Sequence, residues 1–420
     1  MVFYNYYYFG EFMKVNRIEQ QEIKKNNSIY KTIDQYCFYS KNVYNQANYI
    51  IRQEFINNGN KLSAYDVQKL MQPMDCYKEC GSQAAQKTIQ LVGKAWESYF
   101  KAIKDWKKNP SKYLGMPKLP KYLPKDGRQV YMLKNIQCSL KDGQFRISFK
   151  PFGGYTVKTH VEGKLMQCRF VPKADHYVME IVYEIEVPET ENIVTERIAA
   201  IDLGVDNLMT ITTNCGVNPI IINGKPLKSI NQYYNKKISE MRSALKLRND
   251  SDWSNEMQRF TTKRNNQVND YIQKSTKMVV DFCKNNNIDT LVCGYNSGWK
   301  QETNMGKRVN QKFVSIPYLN IVQRLEYKCE NEGIKFIKTN ESYTSGTSFL
   351  DGEEPIEKNY NKDRRIYRGL FRSEKGEYIN ADVNGSYQIM KKVFPKAFAN
   401  GIVDAGSHPV VVNIPLQTAK

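Results

Sequence analysis

A chain of 420 residues, 41% hydrophobic and 25% charged, has material for two or three domains with buried cores and is no disordered polymer. Sixty-two Lys and Arg against 43 Asp and Glu leave a net charge of +19, a field that favours polyanions, nucleic acid first and anionic membrane second. No apolar run reaches membrane-spanning length, and the nine cysteines form no C-x2-C pair, so reduced thiols in a cytoplasmic protein are expected.

The opening MVFYNYYYFGEF is aromatic, without the basic leader and cleavage site of a signal peptide. MKVNRIEQQEIKK from Met13 reads as a more ordinary start, so the first twelve residues are expected to be an extension. Val15–Ile23 alternates enough for a strand. From Asn26 to Trp106 apolar residues recur at helical spacing, through Ile33, Cys37, Val43, Ala47 and Ile51 and again through Ala84, Ile89, Val92, Trp96 and Phe100. A glycine-bearing break at Asn57–Lys61 divides this block, and its aromatic residues read as core. Cys76 and Cys80 have no second pair nearby, which argues against zinc there.

Trp106–Arg128 changes character. Its prolines forbid a helix, and Lys107, Lys108, Lys112, Lys118, Lys121, Lys125 and Arg128 alternate with Trp106, Tyr113, Leu114 and Tyr122. Such a stretch is either a solvated linker or a surface that tracks a nucleic-acid backbone. Val130–Val187 then offers five short, partly alternating segments between turns, which predicts a small antiparallel barrel or sandwich completed by the N-terminal strand. His160 and His176 stand near no carboxylate cluster in the sequence.

Arg197–Ile211, RIAAIDLGVDNLMTI, reads as a hairpin: a buried strand, a turn at Gly204–Asn207 and a strand returning. A carboxylate at the end of a buried strand is costly unless cations or donors meet it, so Asp202 either accepts turn N–H groups or meets a cation. A third strand, GVNPIII, precedes two long polar helices, about Pro226–Asn249 and Asp252–Asn286. The second carries Lys263, Arg264, Lys274 and Lys277, a solvated face or a face along a nucleic-acid duplex. Ile288–Tyr295 is the next buried strand. The loop Asn296–Gln311 offers Trp299, Lys300, Lys307 and Arg308 to a phosphate backbone and leads to a helix, Ile316–Glu332. Ile334–Lys338 is another strand, with Glu341 just beyond its end. Arg364, Arg365, Arg368 and Arg372 form a cluster suited to phosphate. YINADVNGSYQIM, Tyr378–Met390, is a helix starting near Asn380 or Asp382, in which Asp382 is by itself a good first-turn acid. The tail from Phe394 to Lys420 is expected to be irregular.

Strand-borne IDLGVDNL with a late NADVNGSYQI resembles the first and third motifs of a RuvC-type nuclease domain. More narrowly, the pair is similar to the TnpB/OrfB proteins of bacterial insertion sequences and their relatives, the small type V CRISPR effectors, over Met13–Pro395. The resemblance implies an α+β multidomain protein: a small antiparallel β-barrel (wedge) with a helical recognition insertion, then an RNase H-like α/β nuclease domain with an insertion. The expected division is 1–25 for the extension and first wedge strand, 26–110 helical recognition, 111–195 wedge, 196–341 nuclease, 342–378 insertion, 379–395 nuclease again and 396–420 tail. LGMPKLPKY is similar to the family's join between helical and β portions.

In that family the two aspartates bind divalent metal, which implies Asp202 and Asp382 here. The family's middle glutamate ends the Ile288–Tyr295 strand, where this chain has Gly294. Adjacent strands lie about 4.8 Å apart, so Glu341 on the next strand is expected to replace it, with Gly294 leaving room. Glu302, on a basic loop, is the weaker choice, since a loop is a poor mount for a ligand. SYTSGTSF is similar to the family segment before a zinc-binding knuckle, yet Ser342–Glu377 holds no cysteine, so no zinc is expected. The implied cofactor is a pair of Mg²⁺ ions and the implied partners are a guide RNA and a target DNA with a short flanking motif, in a cytoplasmic, nucleoid-associated protein without membrane attachment. A nuclease-inactive RNA-guided repressor and a transposase or resolvase acting without RNA stand as the alternatives.

Overall fold

The computed structural model describes residues 12–249, 252–296, 314–367, 369–398 and 409–416. Lys14–Glu186 forms one compact unit and Val187 onward the other, a division nine residues ahead of the expected boundary at 195.

In the first unit four helices carry the expected periodic residues inward: α1 (Tyr30–Asn58), α2 (Ala64–Met71), α3 (Asp75–Cys80) and α4 (Ser82–Lys108). Ile33, Cys37, Val43, Ala47 and Ile51 of α1 are all buried in this unit's core. Gly59 ends α1 with φ of +70°, its N–H donating to Phe55 O, a conformation glycine adopts without steric cost. Ser63 and Asp66 cap the start of α2 reciprocally. Helix α4 runs on through Trp106 to Lys108, further than the composition shift predicts, because Pro110 is the residue that cannot continue it. The proline-rich stretch after it lies along α1. Asn45 binds Leu123 N and O, Asn48 donates to Pro120 O, and Lys41 donates to Lys125 O. Asn48 also accepts from the buried Trp96 indole at 2.8 Å.

The strands of this unit are β1 (Phe12–Ile23), β2 (Tyr131–Lys134), β3 (Cys138–Lys141), β4 (Gln144–Ile147), β5 (Thr156–Lys158), β6 (Lys164–Pro172) and β7 (Tyr177–Pro188). They form two open ladders, β1-β7-β6-β2 and β3-β4-β5, so the N-terminal strand does pair with late ones. A barrel closed by one continuous ladder is not what forms. Side chains bridge instead: the Glu19 carboxylate accepts from Thr159 and from His160 N–H, and Gln21 donates to Lys158 O.

The second unit is built on a six-stranded sheet: β8 (Ile198–Leu203), β9 (Asn207–Thr213), β10 (Ile220–Asn223), β11 (Thr290–Gly294), β12 (Lys335–Thr339) and β16 (Val410–Val412), in the order β12-β11-β8-β9-β10-β16. β8 is antiparallel to β9 and parallel to β11, which is parallel to β12. β16 pairs parallel with β10, so part of the tail expected to be irregular extends the sheet. Alternation along β8 divides its contacts. Ala199, Ile201 and Leu203 face helices α6 (Asn255–Asn285) and α7 (Tyr318–Asn331), whereas Ile198 and Ala200 face Ile389 and Met390 of helix α8 (Ala381–Val393). Helix α5 (Lys225–Asn249) precedes α6 as the long polar pair expected.

Between β12 and α8, strands β13 (Arg365–Tyr367), β14 (Leu370–Arg372) and β15 (Tyr378–Asn380) form a small sheet. In this segment Phe349 stacks on Tyr387 at 4.3 Å, Asn384 binds Phe349 N and Thr347 O, and Arg364 pairs with Glu353 at 2.6 Å.

Candidate active site

The alternation that points Ile198 and Ala200 at α8 also points Asp202 there, two residues on. Its Oδ2 lies 2.8 Å from the point a β-carbon on Gly385 would occupy, so α8 can approach β8 this closely only with glycine at that turn. Ser386, the next residue, donates to Ala200 O and pairs with Thr212, tying α8 to both strands of the hairpin. These ties fix Asp202 and the start of α8 against each other.

Asp382 sits in the first turn of α8, after an Asn380 cap whose Oδ1 accepts from the backbone of Asp382 and Val383. Its carboxylate is held on both oxygens: Asn207, just past the β8–β9 turn, donates to Oδ2 at 2.7 Å, and Arg365 donates to Oδ1 at 3.0 Å.

Glu341 follows β12, with its backbone N–H on Asn296 Oδ1 and its carbonyl accepting from Thr344. Its Oε2 lies 3.1 Å from where a β-carbon on Gly294 would be, and Ile389 Cδ1 lies 2.6 Å from that same point. The side chain thus fills the space beside Gly294 at the tip of β11, one strand from its own. Oε2 is buried without a hydrogen-bond partner.

Electrostatics follow from this placement. Burial raises the Asp202 carboxyl well above its ordinary range, and the charges of Glu341 and Asp382 raise it further while Arg365 opposes them. Asp202 keeps some solvent contact as a residue, but protein closes around its carboxyl group. Burial likewise pushes Glu341 up to about 8, with Lys392 working against it. Asp202 thus stands in the field of both other carboxylates. Even so, no three His, Cys, Asp or Glu side chains among the described residues are gathered as one ion's ligands would be.

The basic candidates separate into two groups. Lys107, Lys108, Lys118, Lys121, Lys125, Lys263 and Arg372 are exposed. Lys112 is paired with Asp105, Arg128 with Asp34, Lys274 with Asp270, Arg364 with Glu353, and Arg264 stacks on the Tyr234 ring at 4.2 Å. Trp299, Lys300, Lys307, Arg308, Arg368 and Glu302 lie outside the described residues. Sequence reasoning missed Asn207, Gly385 and Lys392. A glycine inside the Asp382 helix was the one available signal, since it costs helix stability unless something needs its space.

Comparison with known proteins agrees with these motifs. Residues 180–300 match the family model OrfB_IS605, described as probable transposase, and residues 318–389 match the TNB domain of Cas12f1-like proteins. No curated protein matches the chain. Among solved structures, a Cas12f1–sgRNA–target DNA complex is similar at 16% identity and TM-score 0.36, covering 89% of this chain and 98% of that one. A CRISPR–Cas12f ternary complex is similar at 16% identity and TM-score 0.37, covering 86% and 80%. By the motifs and the two matched segments, the chain is similar to the TnpB/OrfB proteins over residues 180–300 and to Cas12f1-like proteins over residues 318–389.

Proposed function

We propose that the chain is an RNA-guided DNA endonuclease of the TnpB type, cleaving guide-matched DNA by divalent-metal-dependent phosphodiester hydrolysis. The observation that carries this reading is Glu341 filling the space beside Gly294, where its charge acts on Asp202. An acid absent from one strand end has been regained from its neighbour. The order of the six-stranded sheet, with α8 on the Asp202 face, supports an RNase H-like reading of 196–341 with 379–395.

The donor set fits a hard divalent cation: only carboxyl oxygens, one of them buried without a partner. Asp202, Glu341 and Asp382 would hold such ions, two Mg²⁺ by the two-metal precedent. The chemistry they supply when bound is activation of water and neutralisation of charge on the phosphodiester. The protein's own residues prepare the place. Gly294 and Gly385 make the room, Asn207 orients Asp382, and burial raises Asp202 and Glu341 so that their charged forms would be favoured by a bound cation. A guide RNA and a target DNA with a short flanking motif are the proposed partners. The +19 charge, the exposed lysines of 107–125 and the two matched segments support them.

The test is to purify the full chain with its co-purifying RNA, sequence that RNA, and offer a matched DNA with Mg²⁺. Cleavage is expected, and is lost in Asp202→Ala and in Glu341→Ala alike. Absence of bound RNA would remove the guided reading, and full activity of Glu341→Ala would remove the migrated acid.

A further inference from the structure

We propose that Thr210 is the positioning residue of Asp202: its hydroxyl donates to the Asp202 carboxylate when a divalent cation is bound there. The inference rests on Asp202 as a cation ligand in the reading above, and it needs no particular placement of Glu341 or Asp382.

Asn207, Thr210 and Thr212 of β9 lie on the side of α8. Asn207 donates to Asp382 Oδ2 and Thr212 pairs with Ser386, so the first and the last are engaged with the helix. Thr210, which alternation places on the same face as Thr212, is 1% exposed. Among the described residues its Oγ1 has no hydrogen-bond partner. Nearly all buried hydroxyls in folded proteins have one, so the exception calls for an explanation.

Register says where the partner is. Thr210 stands directly opposite Asp202 in the antiparallel β8–β9 ladder, as Thr212 stands opposite Ala200. Opposed side chains share a face, with β-carbons about 4.5–5.5 Å apart, close enough for two short polar side chains to hydrogen-bond. On its other side Thr210 is opposite Ile221 of β10, which is 2% exposed and brings no polar side chain. Against Asp202 the helix presents Gly385, which has no side chain to take the hydroxyl. Across the ladder, the Asp202 carboxylate is therefore the group that the hydroxyl can serve.

In the ion-free fold the two groups stand side by side unjoined. Outer hydrogen bonds of this kind fix the orientation of carboxylate ligands at metal sites, and a hydroxyl turns to suit its acceptor. A threonine left unpaired here carries an uncompensated desolvation cost, the sort of local conflict that folds keep where function needs it.

Mn²⁺ is the probe, its affinity for the full chain read by calorimetry, with urea midpoints taken in a chelating buffer. Thr210→Val removes the hydroxyl and keeps the branched shape. It is expected to bind Mn²⁺ about 10–100-fold more weakly than wild type, the range for losing an outer partner of a ligand. Its ion-free urea midpoint should stay equal or rise, because an unpaired buried hydroxyl has gone. Thr210→Ser keeps the hydroxyl and should bind within about threefold of wild type. Mn²⁺ binding by Thr210→Val equal to wild type overturns the proposal. So does a lowered ion-free midpoint in that variant, which would give the hydroxyl a structural bond. Thr210→Ser as weak as Thr210→Val also overturns it, since the loss would then be one of packing. Asp202→Asn tests the site itself. If wild type binds no Mn²⁺ that this change removes, the metal-site reading fails and this inference with it; loss in Asp202→Asn with none in Thr210→Val overturns this inference alone.

Discussion

The carboxyl of Glu341 stands 3.1 Å from the point a β-carbon on Gly294 would occupy, although the two residues belong to different strands. β11 and β12 are parallel neighbours, with Gly294 opposite Thr339, so the chain two residues further on can turn its side chain back over the tip of β11. Glycine and glutamate are complementary here: each residue makes the other's position workable.

That complementarity predicts a packing cost. Gly294→Ala places a methyl group 2.6 Å from Ile389 Cδ1 and against the Glu341 carboxyl. Stability should fall by about 1–3 kcal/mol, the usual range for overpacking a tight core. Urea denaturation measures it, and an unchanged midpoint would show that the space beside Gly294 is slack.

The pH dependence of the ion-free protein follows from Glu341. Its folded value is raised to about 8 from an ordinary 4.5, so the folded state binds the proton more tightly than the unfolded chain. Its contribution is therefore complete below about 4.5 and is lost as pH rises through about 8. Asp202, also raised, acts in the same direction. Glu341→Gln keeps a neutral side chain at every pH and should reduce this decline by about 4–5 kcal/mol. Urea midpoints at pH 5 to 9 in a chelating buffer test it; parallel slopes for the two proteins count against the raised value.

Asn207 and Arg365 each donate to one oxygen of the Asp382 carboxylate. Asn207 orients Asp382 without competing for charge, so Asn207→Ala should weaken divalent binding about 10–100-fold, as loss of outer hydrogen-bond partners does at metal sites. Mn²⁺ titration of wild type and Asn207→Ala measures it, and equal affinities would count against the orienting role.

Lys118, Lys121 and Lys125 are exposed on a segment whose backbone is tied to α1. Replacing all three with Gln should weaken RNA binding and flatten its dependence on log salt by about 2, close to 0.7 for each lost contact with a single strand. Arg128→Gln should instead lower thermal stability, because Arg128 forms two hydrogen bonds with the Asp34 carboxylate. An unchanged salt slope would assign the three lysines to solvent.

Much of the architecture was legible residue by residue. The IAAID run, the LMTITT return, the long polar pair α5 and α6 and the N-cap at Asn380 are local signals: periodicity, turn chemistry and capping act within a few residues. Asp202 drew notice as a carboxylate ending a buried strand, whereas Asp382 by itself read only as a first-turn helix acid and was paired with it through the motif resemblance. What tertiary structure alone decided was which side chains share one small volume. That Ile389 and Glu341 crowd Gly294, that Gly385 makes way for Asp202, and that Val410–Val412 leaves the tail to join the sheet are contacts between residues tens to hundreds of positions apart. The ion pair of Arg365 with Asp382 is of the same kind: an arginine cluster in sequence looks like a phosphate surface, and only packing shows that Arg364 and Arg365 are each paired with a carboxylate. Period and composition describe how a segment meets an interior or solvent. They carry no information about which distant segment supplies the neighbour, and at this site the neighbours set the charge balance.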